Sequence, residues 1–284
     1  MNYGKRAARR RQQEIDATGT KIRKKIGVII RKMILVCLLL VAVLGISAGI
    51  GVWKGIIDSA PDISAIDVVP TGYSTTVLDS RGNQVATLVA AGANRKYVTI
   101  DEIPKNLQHA VVAIEDARFY DHNGIDIKGI FRALAKDIAT MSTKQGASTI
   151  TQQLIKNSIL EKTWISESSL IESVQRKVQE QYLAVKLEQQ VSKKWILEEY
   201  LNTINLGANT LGVQAASERY FGKDVSELTL SECAVIAGIT KNPYGYNPIR
   251  FPEKNKERQI EVLTKMKEQG YISQAEYDEA VEDP

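Results

Sequence analysis

The clearest hydropathic feature of the chain is Met33 to Trp53, a run of 21 residues without a charged side chain. About 20 apolar residues suffice to carry a helix across the hydrocarbon core of a bilayer, so this run predicts one transmembrane helix. Asp58 to Gly72, with Pro61, Pro70 and scattered acids, has no period and reads as a linker. Two β-prone runs within Ser74 to Leu88 flank the turn-forming Asp79-Ser-Arg-Gly-Asn83, which predicts a short hairpin. From Pro104 onward the spacing is helical. Leu107, Val111 and Ile114 mark one helix, and Ile127, Ile130, Phe131, Leu134, Ile138 and Met141 a second. Val174, Val178, Tyr182 and Val185 mark a third, and Leu228 to Ile239 a continuous apolar fourth. Lys194 to Asn202 and Arg258 to Met266 read as amphipathic helices with apolar core positions, and Thr163 to Ser173, with four serines, as a mobile loop. The expected fold is mainly α, divided into a tail over 1–32, a transmembrane helix over 33–53, linker and hairpin over 54–94, and a globular domain over 95–284.

Charge adds an orientation to this picture. The net charge of +4 is local, because residues 1–32 hold 11 Lys/Arg against two acids, leaving 26 basic and 31 acidic residues beyond. Lys21, Arg23, Lys24, Lys25, Arg31 and Lys32 precede the apolar run while Lys54 and Asp58 follow it, so the positive-inside rule places the tail in the cytoplasm and the domain outside the plasma membrane. The apolar run exceeds the roughly 7–15 residues of a signal peptide and reads as a retained anchor. A basic arm beside a span points to anionic lipid and not to nucleic acid. With Cys37 inside the apolar run, a disulfide to Cys233 is not expected, and two histidines, His109 and His122, exclude a histidine-rich metal site.

Three segments could carry chemistry. Glu115 and Asp116 follow an apolar helix face, where partial desolvation would raise a carboxylate's pKa and make Glu115 a general base, although a Glu-Asp pair at a helix end, taken alone, is usually solvated charge. Gly146 to Gln153 opens a helix in which Thr149 and Gln152 fit a capping box. Gln153 and Lys156 lie near the same face, so the segment is either a plain cap or an anion site at a helix N-terminus. Arg176 and Glu180 stand four apart, as in a surface ion pair, yet share their face with Leu183 and Leu187. Partial burial there would suit a guanidinium that receives a diphosphate. The second predicted helix, with Lys128, Arg132 and Lys136 beside its apolar stripe, fits either a domain core or a bilayer surface.

Taken in order, five segments resemble the motif series of glycosyltransferase family 51, the peptidoglycan glycosyltransferases of class A penicillin-binding proteins and their monofunctional relatives. They are Glu-Asp-x-x-Phe-x-x-His-x-Gly at 115–124, Gly-x-Ser-Thr-Ile-Thr-Gln-Gln at 146–153, Arg-Lys-x-x-Glu at 176–180, Lys-x-x-Ile-Leu-Glu-x-Tyr-Leu-Asn at 193–202 and Arg-x-x-x-Val-Leu-x-x-Met at 258–266. The resemblance implies a lysozyme-like domain with a membrane-proximal jaw. It implies polymerisation of glycan strands from lipid II, with inversion and release of undecaprenyl diphosphate. Glu115 would be the base and Glu180 the second catalytic carboxylate. Asp116, Phe119, His122, Ser148, Thr149, Gln152, Gln153, Lys156, Asn157, Arg176 and Lys177 would bind substrate or shape the groove. No organic cofactor is implied, and a divalent cation, Mg or Mn, near the diphosphate stays open. Lipid II, the growing strand and the plasma membrane are the implied partners, with other cell-wall synthesis proteins as further candidates. Glu161 to Gln175 is longer than in many relatives and lacks the arginine some of them use for a phosphate contact. No serine is followed three residues later by lysine and no Lys-Thr-Gly occurs, so no transpeptidase site is expected in this chain. A lytic muramidase and a non-enzymatic cell-wall scaffold are the rival readings.

Overall fold

A computed structural model describes residues 4–16, 18–62, 68, 75–82, 84–88, 95–140, 146–160 and 169–283. The polypeptide divides into two compact units, Met1–Ser59 and Ala60–Pro284. In the first unit, α1 (Lys5–Asp16) precedes α2 (Thr18–Asp58). Within α2, Ile22–Asp58 is long and apolar enough to cross a membrane, and it is the one such helix among the described residues. Its 37 residues span about 55 Å, well beyond a hydrocarbon core of about 30 Å, so the helix runs on past both ends of the uncharged stretch. Lys54 to Asp58, expected in the linker, remain helical. The helix ends at Asp58, shortly before Pro61, whose ring disfavours helical backbone at the residue ahead of it.

The second unit opens with the hairpin of β1 (Thr75–Leu78) and β2 (Gln84–Leu88), antiparallel with Val77 opposite Ala86. Gly82 takes the left-handed φ of 84° that its turn requires. Two layers of helix follow. In one, α9 (Leu230–Ile239) packs against α3 (Lys105–Glu115) and α10 (Pro252–Glu268), burying Leu107, Val111, Ile236 and Leu263. In the other, α5 (Ile150–Ile155) packs against α6 (Leu170–Glu188) and α7 (Lys193–Thr203), burying Leu154, Leu183, Ile196 and Leu201. Capping boxes fix the starts of α6, Ser169 with Glu172, and of α9, Thr229 with Glu232, by satisfying N–H groups that have no intrahelical partner. The Ser169 box puts Ser169 to Ser173 at a helix start and not in a loop; residues 163–168 lie outside the described residues. Helices α8 (Val213–Phe221) and α11 (Gln274–Glu282) complete the unit. Val68, inside the expected linker, is buried in the core.

Two helices turn a different face inward from the one their apolar spacing suggests. On α4 (Ile127–Thr140), Ile127, Phe131 and Leu134 are exposed while Gly129 and Ala133 are buried. The small residues are the buried ones and the large ones face outward; the Ile138 side chain and Met141 lie outside the described residues. On α6, Val174 is exposed and Val178, Tyr182 and Val185 are only half-buried. The buried face is the one carrying Glu180, Leu183 and Leu187.

Candidate active site

The residues singled out by chemistry converge on one cavity of about 590 Å³ in the Ala60–Pro284 unit. Glu115 enters it as the last residue of α3. Ser148 and Gln153 come from the segment around the start of α5, Lys156 from the wider π-type turn that follows, and Arg176, Lys177 and Glu180 from α6. Four further residues line the cavity that sequence reading had not placed there: Thr240 and Lys241 just beyond α9, and Arg258 and Glu261 on α10. Five cationic side chains face three carboxylates in this lining, an excess of two positive charges.

The two carboxylates drawn from the motifs are held in different ways. Among the described residues, Glu115 meets neutral donors: the Thr240 hydroxyl donates to Oε1 at 2.6 Å and the Gln153 amide to Oε2 at 2.8 Å. The Gln153 oxygen in turn accepts from the Tyr200 hydroxyl at 3.1 Å. Tyr200 is fully buried, and burial together with nearby Glu115 and Asp116 holds its phenol well above its ordinary pKa, so it stays a neutral donor. Glu180 is 2% exposed and lies in an ion cluster, accepting from Lys177 at 2.5 Å and Arg176 at 3.2 Å. Lys177 also donates to Ser148 at 2.7 Å and Gln152 at 3.3 Å, so its three N–H groups are directed at protein acceptors.

Other motif residues stand behind this wall as its frame. Asp116 accepts from His122 Nε2 at 2.9 Å and from the backbone N–H of Ile150 at 3.0 Å, which ties the 116–124 loop to the start of α5. Thr149 caps α5 by accepting from Gln152 N–H and donates its hydroxyl to Gly124 O at 2.7 Å; the Gln152 amide reaches the same oxygen at 3.3 Å. Thr149 therefore caps α5, but the Gln152 side chain turns to Gly124 O instead of closing the expected capping box, while Gln153 and Lys156 line the cavity. Phe119 is fully buried with the Lys193 ammonium 4.5 Å from its ring centre. Asn157 is half-buried in the π-type turn and is not among the cavity's lining residues. Thr240 left little trace in the sequence, since it follows an apolar helix whose boundary alone was legible.

A carboxylate fixed by neutral donors beside a cluster of cations, in a helical domain, is an arrangement that could take a proton from one group while receiving an anion next to it. A family model described as Transglycosylase matches residues 81–267. The chain belongs to the transglycosylase family. Its similarity to penicillin-binding protein 1A of Clostridium novyi (strain NT) is 43% identity over 237 residues, covering 80% of this chain and 27% of that relative. To penicillin-binding protein 1A/1B of Bacillus subtilis (strain 168) it is 38% identical over 282 residues, 98% of this chain and 29% of the relative. Penicillin-binding protein 1F of the same organism is 45% identical over 205 residues, 72% of this chain and 27% of the relative. This transglycosylase chain thus spans less than a third of the length of these relatives. The matched stretch starts in the hairpin turn and contains Glu115, Glu180 and every other residue lining the cavity.

Proposed function

We propose that this transglycosylase polymerises peptidoglycan glycan strands from lipid II at the outer face of the plasma membrane. The observation that carries the reading is the pairing of a neutral-donor cradle around Glu115 with the surplus of cations in the same groove. Glu115 takes the proton from the 4-hydroxyl of the acceptor saccharide, and that oxygen attacks the anomeric carbon of the growing strand. The bond from that carbon to the diphosphate breaks with inversion, and undecaprenyl diphosphate departs carrying the bonding electrons. Lys156 and Arg176 receive its charge, while Glu180 keeps Arg176 and Lys177 in register. Catalysis of this kind is positioning and electrostatics, and no organic cofactor takes part. A divalent cation, Mg or Mn, would be held by the oxygens of the diphosphate. Helix α2 anchors the chain with its N-terminus in the cytoplasm, and the partners are lipid II, the growing strand and the membrane, with no nucleic acid.

A lytic muramidase would also use a glutamate, but cutting glycan calls for no excess of cations beside it. The test is incubation of the purified chain with labelled lipid-linked disaccharide. Polymer is expected from the wild type, and Glu115→Gln is expected to lower the rate by roughly 10²–10⁴ with the melting temperature unchanged, since the amide keeps the shape and loses the base. Shortening of finished glycan would favour the muramidase, and wild-type turnover by Glu115→Gln would remove the base assignment.

A further inference from the structure

A second cavity, of about 690 Å³, adjoins the first along the chain. Thr240 and Lys241 line the catalytic groove, and Pro243 and Tyr244, two residues on, line this one. Its opposite wall is the loop from Asn205 to Leu211. The two walls meet at Gly207, where any side chain would sit 2.4 Å from the Pro243 carbonyl oxygen. The wall loops are preorganised. Tyr220 donates to Leu206 O at 2.7 Å, and Asn247, buried at the cavity's edge, donates to the Tyr220 hydroxyl and accepts from the N–H groups of Ile249 and Arg250. Gly207, Ala208 and Asn209 all adopt left-handed backbone, with φ of 78°, 48° and 59°. An alanine in that region is strained, and strain of this kind is retained where it shapes a site.

The chemistry of the lining is one-sided. Arg219 and Arg250 are both exposed to the cavity, no carboxylate lines it, and neither guanidinium has an acidic partner among the described residues. Arg250 lies over the exposed Tyr244 ring at 4.7 Å, which holds its fork in place beside an apolar surface. Arginine forks beside asparagine amides and an aromatic face match a short acidic peptide: carboxylates for the forks, backbone amides for Asn205 and Asn209, methyl groups for Tyr244.

Building on the reading of the catalytic groove, we propose that this second cavity binds the carboxylate-bearing peptide carried by the acceptor saccharide, and so selects the substrate by its peptide. The two cavities are lined by residues only two apart in the chain, Lys241 and Pro243, so a substrate seated in the groove lies beside this second cavity.

The test uses the full chain in vesicles and two lipid-linked disaccharides, alike except that one peptide has free carboxylates and the other has them amidated. Each exposed guanidinium–carboxylate contact contributes a factor of about two. The wild-type KM is therefore expected to be about fourfold lower for the acidic peptide. In the double variant Arg219→Gln/Arg250→Gln the two KM values should converge, while Arg219→Lys/Arg250→Lys should keep most of the difference. Equal KM values in the wild type would overturn the proposal, as would a preference that survives in the glutamine variant. Absence of polymer from both substrates is a distinct outcome that removes the reading of the catalytic groove, and this proposal with it.

Discussion

The exposed stripe on α4 gives the sharpest quantitative test, through the double variant Phe131→Ser/Leu134→Ser. Phe131 is 67% exposed and Leu134 53% exposed, with Ile127 beside them at 62%. A large apolar side chain fully removed from water contributes about 1.5–3 kcal/mol. With half to two-thirds of each side chain free to enter a bilayer surface, the pair contributes roughly 2–4 kcal/mol, a 30- to 1000-fold change in partitioning. The same exposures limit the cost to folding. Only a third to a half of each side chain is covered, so the serines should cost about 1–2 kcal/mol, a fall of several degrees in Tm at most. Had these residues been core, the two truncations together would cost roughly 4–10 kcal/mol and unfold the domain. The exposed Lys128 and Arg132 on the same helix would draw it to anionic headgroups. The assay is flotation of residues 60–284 with anionic vesicles at low salt, with thermal melting of the same samples. Binding that survives the double variant, or a domain that melts on introducing it, would refute the membrane-facing assignment.

Thr240→Val keeps the shape and removes a hydroxyl that donates to Glu115. A hydrogen bond to a charged group is worth about 1.5–3 kcal/mol, so kcat/KM should fall roughly 10- to 100-fold, with Thr240→Ser close to wild type; equal turnover in the valine variant would mean that Thr240 does not orient the base. Glu180→Gln removes the carboxylate that Arg176 and Lys177 share and should lower both turnover and stability, the latter by about 1–3 kcal/mol, whereas Glu115→Gln should leave melting unchanged; identical melting of the two variants would remove this distinction. Asp224 is held below its ordinary pKa by the Ser226 hydroxyl and backbone N–H and by the Gln214 amide, so its contribution to stability is complete above about pH 4 and is lost as pH falls through the lowered folded value. Asp224→Asn should flatten that acid limb in pH-dependent melting, and an unchanged limb would assign it to other carboxylates.

The helices were legible in the sequence where period and caps agreed, but a period reveals an apolar face without revealing what covers it. On α4 and α6 the larger apolar stripe is the exposed or half-buried one, and the buried face carries Gly129 with Ala133 on α4 and Leu183 with Leu187 on α6. Helix α8 went unread because its buried Ala215, Ala216 and Ser217 carry little hydropathic contrast, although Gly222 closes it with a left-handed φ of 69°. Helix α11 had an unread signal in Ser273 and Glu276, which form a capping box. The carboxylates of the groove were legible as motif residues, but the contacts that orient Glu115 span 38 and 125 residues of sequence. No local pattern records a partner at that separation, so Thr240 and Tyr200 could emerge only from the packing of α9 and α7 around α3 and α5.

The frame behind the groove converges on Gly124. Its carbonyl accepts from both Thr149 and Gln152, and its N–H donates to His122, which is bonded to Asp116, next in sequence to Glu115. Gly124 also has a φ of 89°, and a Cβ there would lie 2.7 Å from the backbone of Ala184, one turn beyond Glu180 on α6. This contact between a loop and a helix backbone thus sets the spacing between the base and the ion cluster, and both a left-handed φ and the absence of a side chain are needed to make it. Gly124→Ala should push α6 away from the loop, at a cost of about 1–3 kcal/mol for overpacking plus the strain of the backbone. Because the displacement separates Glu115 from Glu180, turnover should fall further than the loss of folded protein explains. Rates corrected for the folded fraction, measured by melting at the assay temperature, separate the two effects. A corrected rate equal to wild type would show that the groove tolerates the shift and that the Gly124 contact serves stability alone.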